Sequence, residues 1–233
     1  VASLTIENYV KAIYQICAAQ ENQPAATGKV AEALQVLPGT VTSMLKTLSE
    51  AGLASYTPYE GVRLTEQGRL LAMRVIRRHR LIELFLARTL NLKWDEVHEE
   101  AENLEHAVSD WLVDRMDAFL GRPESDPHGD PIPRADGSMR RPVGSSLASL
   151  AAEQRFRLVR VLDQSPEFLR FLSESGLQLG AEGEVVANRP AAGVLSFKLD
   201  GKEATLSLAV AEKLVAEVLP AEKAEKVASK SRK

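Results

Sequence analysis

Apolar residues recur every three or four positions over residues 4–20, at Ile6, Tyr9, Val10, Ile13, Ile16 and Cys17. That spacing predicts a helix with one buried face, and Thr5 is its expected N-cap. After a polar break at 20–24, the same period predicts a short helix over 27–34, a tight turn at 35–37 and a second helix over 38–50. Val41, Met44, Leu45 and Leu48 form the apolar side of that second helix, while Thr40, Thr42, Ser43, Lys46 and Thr47 form its polar side. Ala51-Gly52 stops it. The period then shortens to two: 53–56 and 61–64 flank a turn at 57–60 and read as a β-hairpin. Two helices joined by a three-residue turn and followed by a hairpin are the order of a winged helix-turn-helix.

From Thr65, a cap, a long helix is expected to about residue 90, and a second over 94–120 that includes Leu104, Val108, Trp111, Leu112, Met116 and Phe119. Both carry more apolar surface than one face requires, which predicts a subunit interface between copies of the chain. Residues 121–142, rich in Pro, Gly and charge, mark a boundary. Beyond it, 147–161 is strand or helix and 167–174 a helix. Short strands at 183–187, 194–199 and 203–207 precede a helical turn at 209–216, and together they suggest a small β-barrel. The tail, 221–233, alternates Lys with Glu and Ser and is expected to be disordered. The fold class is thus mainly α with small β. Its expected domains are 1–65, a winged helix-turn-helix; 66–143, a helical dimerisation domain; and 144–220, a linker helix plus an SH3-like barrel.

Composition changes this picture little. Of 233 residues, 45% are hydrophobic, enough for folded cores, and the formal net charge of −3 means that any DNA binding must come from the placement of basic and polar groups rather than from bulk charge. The single cysteine, Cys17, lies on a helical apolar stripe, reads as a small core residue and fits a reducing cytoplasm. No apolar run approaches the roughly 18 residues of a membrane span, and no charged-then-apolar leader opens the chain. Because the sequence starts at Val1 rather than Met, a few residues are expected to precede it.

The candidate chemistry is a run of imidazoles and carboxylates. His98, Glu102, Glu105 and His106 are spaced by four, three and one, so a continuous helix would set them along one side. A solvated acidic face is the plain reading of such a run. Its two histidines, with His79 and Glu83 one turn apart on the preceding helix, point instead to a first-row divalent metal. In the winged helix, the polar side of the second helix suits a major groove. Hydroxyls of Thr40, Thr42 and Ser43 reach base edges or phosphates, Lys46 neutralises a phosphate, and Pro38 or a Thr methyl touches a thymine methyl. Thr27 at the start of the preceding helix, and Tyr59 and Arg63 on the hairpin, are further candidates for the DNA backbone. A Ser/Thr-rich helical hairpin with tyrosines covering its strands is the competing structural reading.

The motifs E-N-Y-V-K-A-I-Y at 7–14, R-R-H-R-L-I-E at 77–83 and V-H-E-E-A-E-N-L-E-H at 97–106, with the D-P-H-G-D-P-I-P linker at 126–133, resemble those of the diphtheria toxin repressor family over about residues 3–219. The resemblance implies a homodimeric, metal-dependent transcription regulator on a palindromic operator, with a ferrous transport A-like barrel, two metal sites per subunit, no enzymatic activity and no organic cofactor. It also implies an ancillary site of His79, Glu83 and His98, with Asp163 as candidate fourth ligand, and a primary site of Asn8, Glu102, Glu105 and His106. In the iron-dependent branch, Met and Cys stand where this chain has Asn8 and Glu102. Hard oxygen donors suit Mn(II) better, so the effector expected is manganese, with Fe(II) as the alternative. Lys11 stands where some manganese regulators have a carboxylate, which puts a two-metal cluster there in doubt. Asp126 either returns a carboxylate to the primary site or caps its turn. Two more distant readings are a dinuclear metallohydrolase, for which no H-E-x-x-H motif is present, and a winged-helix regulator of an organic ligand.

Overall fold

In the computed structural model, which describes residues 3–220, the chain divides between Arg141 and Pro142 into two compact units. The tail expected to be disordered, 221–233, lies outside the described residues.

The first unit begins with α1 (Leu4–Ala19), α2 (Thr27–Leu34) and α3 (Pro38–Glu50), then β1 (Ala54–Thr57) and β2 (Gly61–Leu64). Ser3, not Thr5, caps α1: its hydroxyl accepts from Ile6 N, which starts the helix one residue before Thr5. The turn between α2 and α3 is made by Gln35 in the left-handed region at φ 53°, and Pro38 occupies the first turn of α3, where its missing N–H costs nothing. Tyr9, Val10 and Ile13 of α1 pack on Val30, Val41, Leu45, Leu48 and Val62 in one core. Cys17 packs half-buried at its edge. The hairpin pairs antiparallel from Ala54↔Leu64 to Thr57↔Gly61, and reciprocal 2.9 Å bonds between Ala25 and Val62 fasten it to the helices.

From the Thr65 cap, α4 (Glu66–Thr89) crosses to the helical part. Its first turn lies so close to the hairpin that a Cβ on Gly68 would meet the Leu53 carbonyl oxygen at 1.9 Å; only glycine fits. The second long helix expected over 94–120 is two helices, α5 (Val97–Leu104) and α6 (Asp110–Phe119). Ser109 begins α6 by accepting from Leu112 N, and α5 closes with Glu105 as its C-cap. Ile82, Leu86, Val97 and Ala101 pack α4 on α5, and Leu81, Leu84, Val113 and Ile132 pack it on α6 and the linker.

The second unit is a six-stranded antiparallel sheet in the order β3-β8-β4-β5-β6-β7, formed by β3 (Ser145–Ser146), β4 (Arg155–Val161), β5 (Glu182–Arg189), β6 (Val194–Leu199), β7 (Lys202–Ser207) and β8 (Leu214–Leu219). It carries α7 (Pro166–Glu174) and the short α8 (Leu208–Ala211). The helical turn expected at 209–216 is present as α8 but ends at Ala211, and from Leu214 the chain is strand, because Leu214 and Ala216 are buried at β8, which pairs with β4. Phe156 and Phe197 meet edge to face at 6.1 Å in its core.

Candidate metal centre

Two faces of α1 do different work. Tyr9, Val10 and Ile13 serve the apolar core shared with α2, α3 and the hairpin, while Glu7 and Lys11, one helical turn apart, are buried among the carboxylates and imidazoles of α4 and α5. Because α5 ends at Leu104, Glu105 and His106 lie on its exit rather than along a continuous helical face, and the fully buried Glu105 carboxylate turns into the cluster.

Three groups of metal-ligand spacing occur among the described residues: His79, Glu83 and His98; His79, Glu102 and Glu105; and Glu83, Asp126 and His128. In the first, His79 Nε2 lies 3.0 Å from Glu83 Oε1 and 3.1 Å from His98 Nδ1, and His98 Nδ1 lies 3.2 Å from Glu83 Oε1. An octahedral ion with donors at about 2.1 Å holds neighbouring donors about 3.0 Å apart, so this near-equilateral triangle has the dimensions of one coordination face.

Two further imidazoles supply the test of fit. His128 Nε2 bonds the Trp94 carbonyl at 2.7 Å, which puts the ring proton on Nε2 and leaves the buried Nδ1 without a hydrogen-bond partner, 3.9 Å from Glu83 Oε2. His106 Nδ1 bonds Glu7 Oε2 at 2.8 Å, leaving Nε2 buried and unpartnered 3.2 Å from Glu105 Oε1. A nitrogen lone pair facing a carboxylate oxygen repels it unless the nitrogen is protonated or a cation binds both, and holding the far ring nitrogen on a carbonyl or carboxylate is how metal-binding histidines are oriented. These donors fit a divalent metal. The His79, Glu102 and Glu105 group does not: the Lys11 ammonium lies within it, 2.7 Å from Glu102 Oε1, 2.8 Å from Glu105 Oε2 and 3.3 Å from His79 Nδ1.

Proton positions without metal follow from the same contacts. Burial works against a charged His79, but its bonds to Glu105 and Glu83 outweigh burial and push its pKa up to about 9. Burial likewise works against charge on Glu83 and Glu105, yet the surrounding His79, His98 and Lys11 hold both carboxyls below the usual range. Burial, then Glu83 and Asp130, hold the Asp126 carboxyl well above that range. Arg78 links the parts, bonding Glu7 of α1, the Glu105 carbonyl at the end of α5, and Asp110 of α6.

Several expected ligands stand elsewhere. Asn8 is half-buried and enters none of these bonds; Glu7 and Lys11 take the place expected for it, because they occupy the side of α1 that faces α4 and α5. Asp126 Oδ1 accepts from the backbone of His128 and Asp130, so it caps its turn, while the carboxyl also joins the Glu83 and His128 group. Asp163 belongs to the second unit, where Lys213 bonds it at 2.7 Å and its Oδ1 accepts from Ser165 N. His128 was missed, although a fourth histidine two residues after a candidate carboxylate was a usable signal.

Among the residues expected to meet DNA, Pro38, Thr40, Ser43 and Lys46 are exposed along α3, and Tyr59 stands fully exposed at the hairpin tip. The Thr42 hydroxyl bonds back to the Pro38 carbonyl at 3.0 Å, Thr27 is half-buried, and Arg63 bonds the Asn22 carbonyl.

Models for the iron dependent repressor match in two parts, the N-terminal DNA binding domain at residues 3–62 and the metal binding and dimerisation domain at 65–134; a FeoA domain model matches 145–218. The chain belongs to the diphtheria toxin repressor family. It is 32% identical to the iron-dependent repressor of Mycobacterium leprae over 162 residues, 70% of this chain and 68% of that one, and 29% identical to the diphtheria toxin repressor of Corynebacterium efficiens over 199 residues, 78% and 83% respectively. A solved structure of a manganese-dependent transcriptional repressor in complex with manganese superposes with a TM-score of 0.82 at 38% identity, over 92% of this chain and all of that one. Membership makes the chain a metal-dependent DNA-binding repressor with a dimerisation domain, and not an enzyme. No described helix is long and apolar enough to cross a membrane.

Proposed function

We propose that this family member is a manganese-responsive repressor of metal-uptake genes, acting in the cytoplasm as a homodimer on a palindromic operator, with domain limits near residues 65 and 143. The observation that carries the metal is the pair of buried, unpartnered nitrogens, His106 Nε2 and His128 Nδ1, each facing a carboxylate. The choice of manganese rests on the donors: imidazole and carboxylate throughout, with no sulfur in any of the three groups. The 38% identity to a manganese-dependent repressor supports the same reading.

A divalent cation supplies concentrated positive charge that draws these donors together. His79, Glu83, His98, His106 and His128 would hold it, with Asp126 completing the buried group. Glu7, bonded to His106 and Arg78, ties α1 to the exit of α5, so a change in how His106 is held reaches the DNA-binding part. In a two-fold dimer the attitude of α1 sets the distance between the two copies of α3, which must meet major grooves about 34 Å apart. A shift from mostly unsuited to mostly suited needs roughly 5 kcal/mol of differential affinity.

The test is a mobility shift on duplexes selected from a random pool, with Mn(II), with anaerobic Fe(II) and with chelator. Mn(II) is expected to restore binding that the chelator abolishes, and His106→Ala is expected to lose the Mn(II) response. Binding indifferent to the chelator refutes the reading; activation by Fe(II) at lower free concentration than Mn(II) replaces manganese with iron.

A further inference from the structure

The side chain of Lys11 is 9% exposed, that of Glu105 0% and that of Glu102 45%. The ammonium is bonded to both carboxylates, reaching Glu105 Oε1 at 3.0 Å as well as Oε2, and stands against His79 Nδ1. Those three residues are the ones whose donor atoms meet at metal-ligand spacing. An ammonium carries three donor hydrogens and no lone pair, so Lys11 cannot join a metal in that space as a ligand. A metal could enter only by expelling Lys11 and leaving its charge without partners in a buried setting.

We propose that Lys11 is a built-in cation. Resting on the metal-dependent reading above, its ammonium fills one of the cation positions of the cluster and latches α1 to Glu102 and Glu105 before any metal arrives. Three features support this. Lys11 projects from α1 while Glu102 and Glu105 lie on α5 and at its cap, so the bonds cross from the DNA-binding part to the helical part. The Glu105 carboxylate is wholly buried from bulk solvent, so its charge calls for a fixed positive partner. The donors left to a metal, His79 Nε2, Glu83, His98, His106 Nε2 and His128 Nδ1, all lie outside the bonds that Lys11 makes. The chain therefore binds fewer ions than its carboxylates and imidazoles would hold, and part of the coupling between α1 and α5 is permanent.

Two measurements on the full chain test this. Equilibrium dialysis against Mn(II) compares the unsubstituted protein with Lys11→Glu, which exchanges the ammonium for a donor; the variant is expected to take up one more Mn(II) per subunit. Hydrogen exchange of the chelated protein compares it with Lys11→Met, similar in length and uncharged. The α1 amides of the variant are expected to exchange at least about tenfold faster, with the second unit unchanged as a folding control. Equal metal uptake by Lys11→Glu, or equal α1 exchange in Lys11→Met, overturns the proposal. The exchange measurement uses no metal or DNA, so it judges the latch even where operator binding proves indifferent to manganese and the functional reading falls.

Discussion

Replacing Glu105 by Gln removes one negative charge from the most enclosed point of the cluster while keeping the shape of the side chain. The carboxylate accepts from Lys11 at 2.8 and 3.0 Å and bonds His79 Nδ1 at 2.7 Å, and none of its side chain is exposed. Breaking a buried ion pair from one side costs about 3–5 kcal/mol, since the partner charges stay behind without compensation. Two features hold Glu105→Gln to the lower end of that range: Gln retains one acceptor oxygen, and Glu102 still holds Lys11 at 2.7 Å, although half in solvent. About 3 kcal/mol for a unit of this size lowers the melting temperature by roughly 6–12 °C. Both tryptophans, Trp94 and Trp111, lie in the first unit, so fluorescence-detected melting of the chelated protein follows the unit that holds the cluster. A loss under about 1 kcal/mol would refute the view that Glu105 anchors a buried charge network.

The remaining predictions concern the same unit. The His79 pKa of about 9 lies above the ordinary value of 6.5, so its contribution is fully present below about pH 6.5 and is lost as pH rises through about 9. Unfolding free energies of the chelated protein from denaturant titration should fall over that window by up to about 3 kcal/mol, and a flat profile contradicts the buried imidazolium. Gly68→Ala should destabilise by about 2 kcal/mol or more, although alanine is the better helix former by about 1 kcal/mol, because the new Cβ meets the Leu53 carbonyl. A midpoint that rises in urea titration would show that α4 moves freely away from the hairpin.

Much of this molecule was legible from spacing alone. The period of α1, the three-residue turn before Pro38 and the switch to a hairpin after Gly52 are local signals, each made by residues a few positions apart, and they placed the winged helix closely. His79 and Glu83 were readable together because one helical turn separates them. The break between α5 and α6 carried no proline or glycine to announce it, and it turns Glu105 and His106 off the line of His98 and Glu102. Strand β8 was hidden for a related reason: residues 214–219 form a short apolar run whose period fits a helical turn as well, and pairing with β4 decides it.

Sequence by itself determined which residue types were available, two imidazole–carboxylate sets and a lysine one turn from Glu7, and the helices that carry most of them. Tertiary packing decided which of them meet. Glu7 and Lys11 rather than Asn8 reach α5 because the opposite side of α1 is spent on the apolar core, and His128 joins Glu83 across 45 positions of chain. Coulomb attraction and desolvation act through space over a few ångströms, so the charge that each carboxylate faces is a property of the folded neighbourhood and not of its neighbours in sequence.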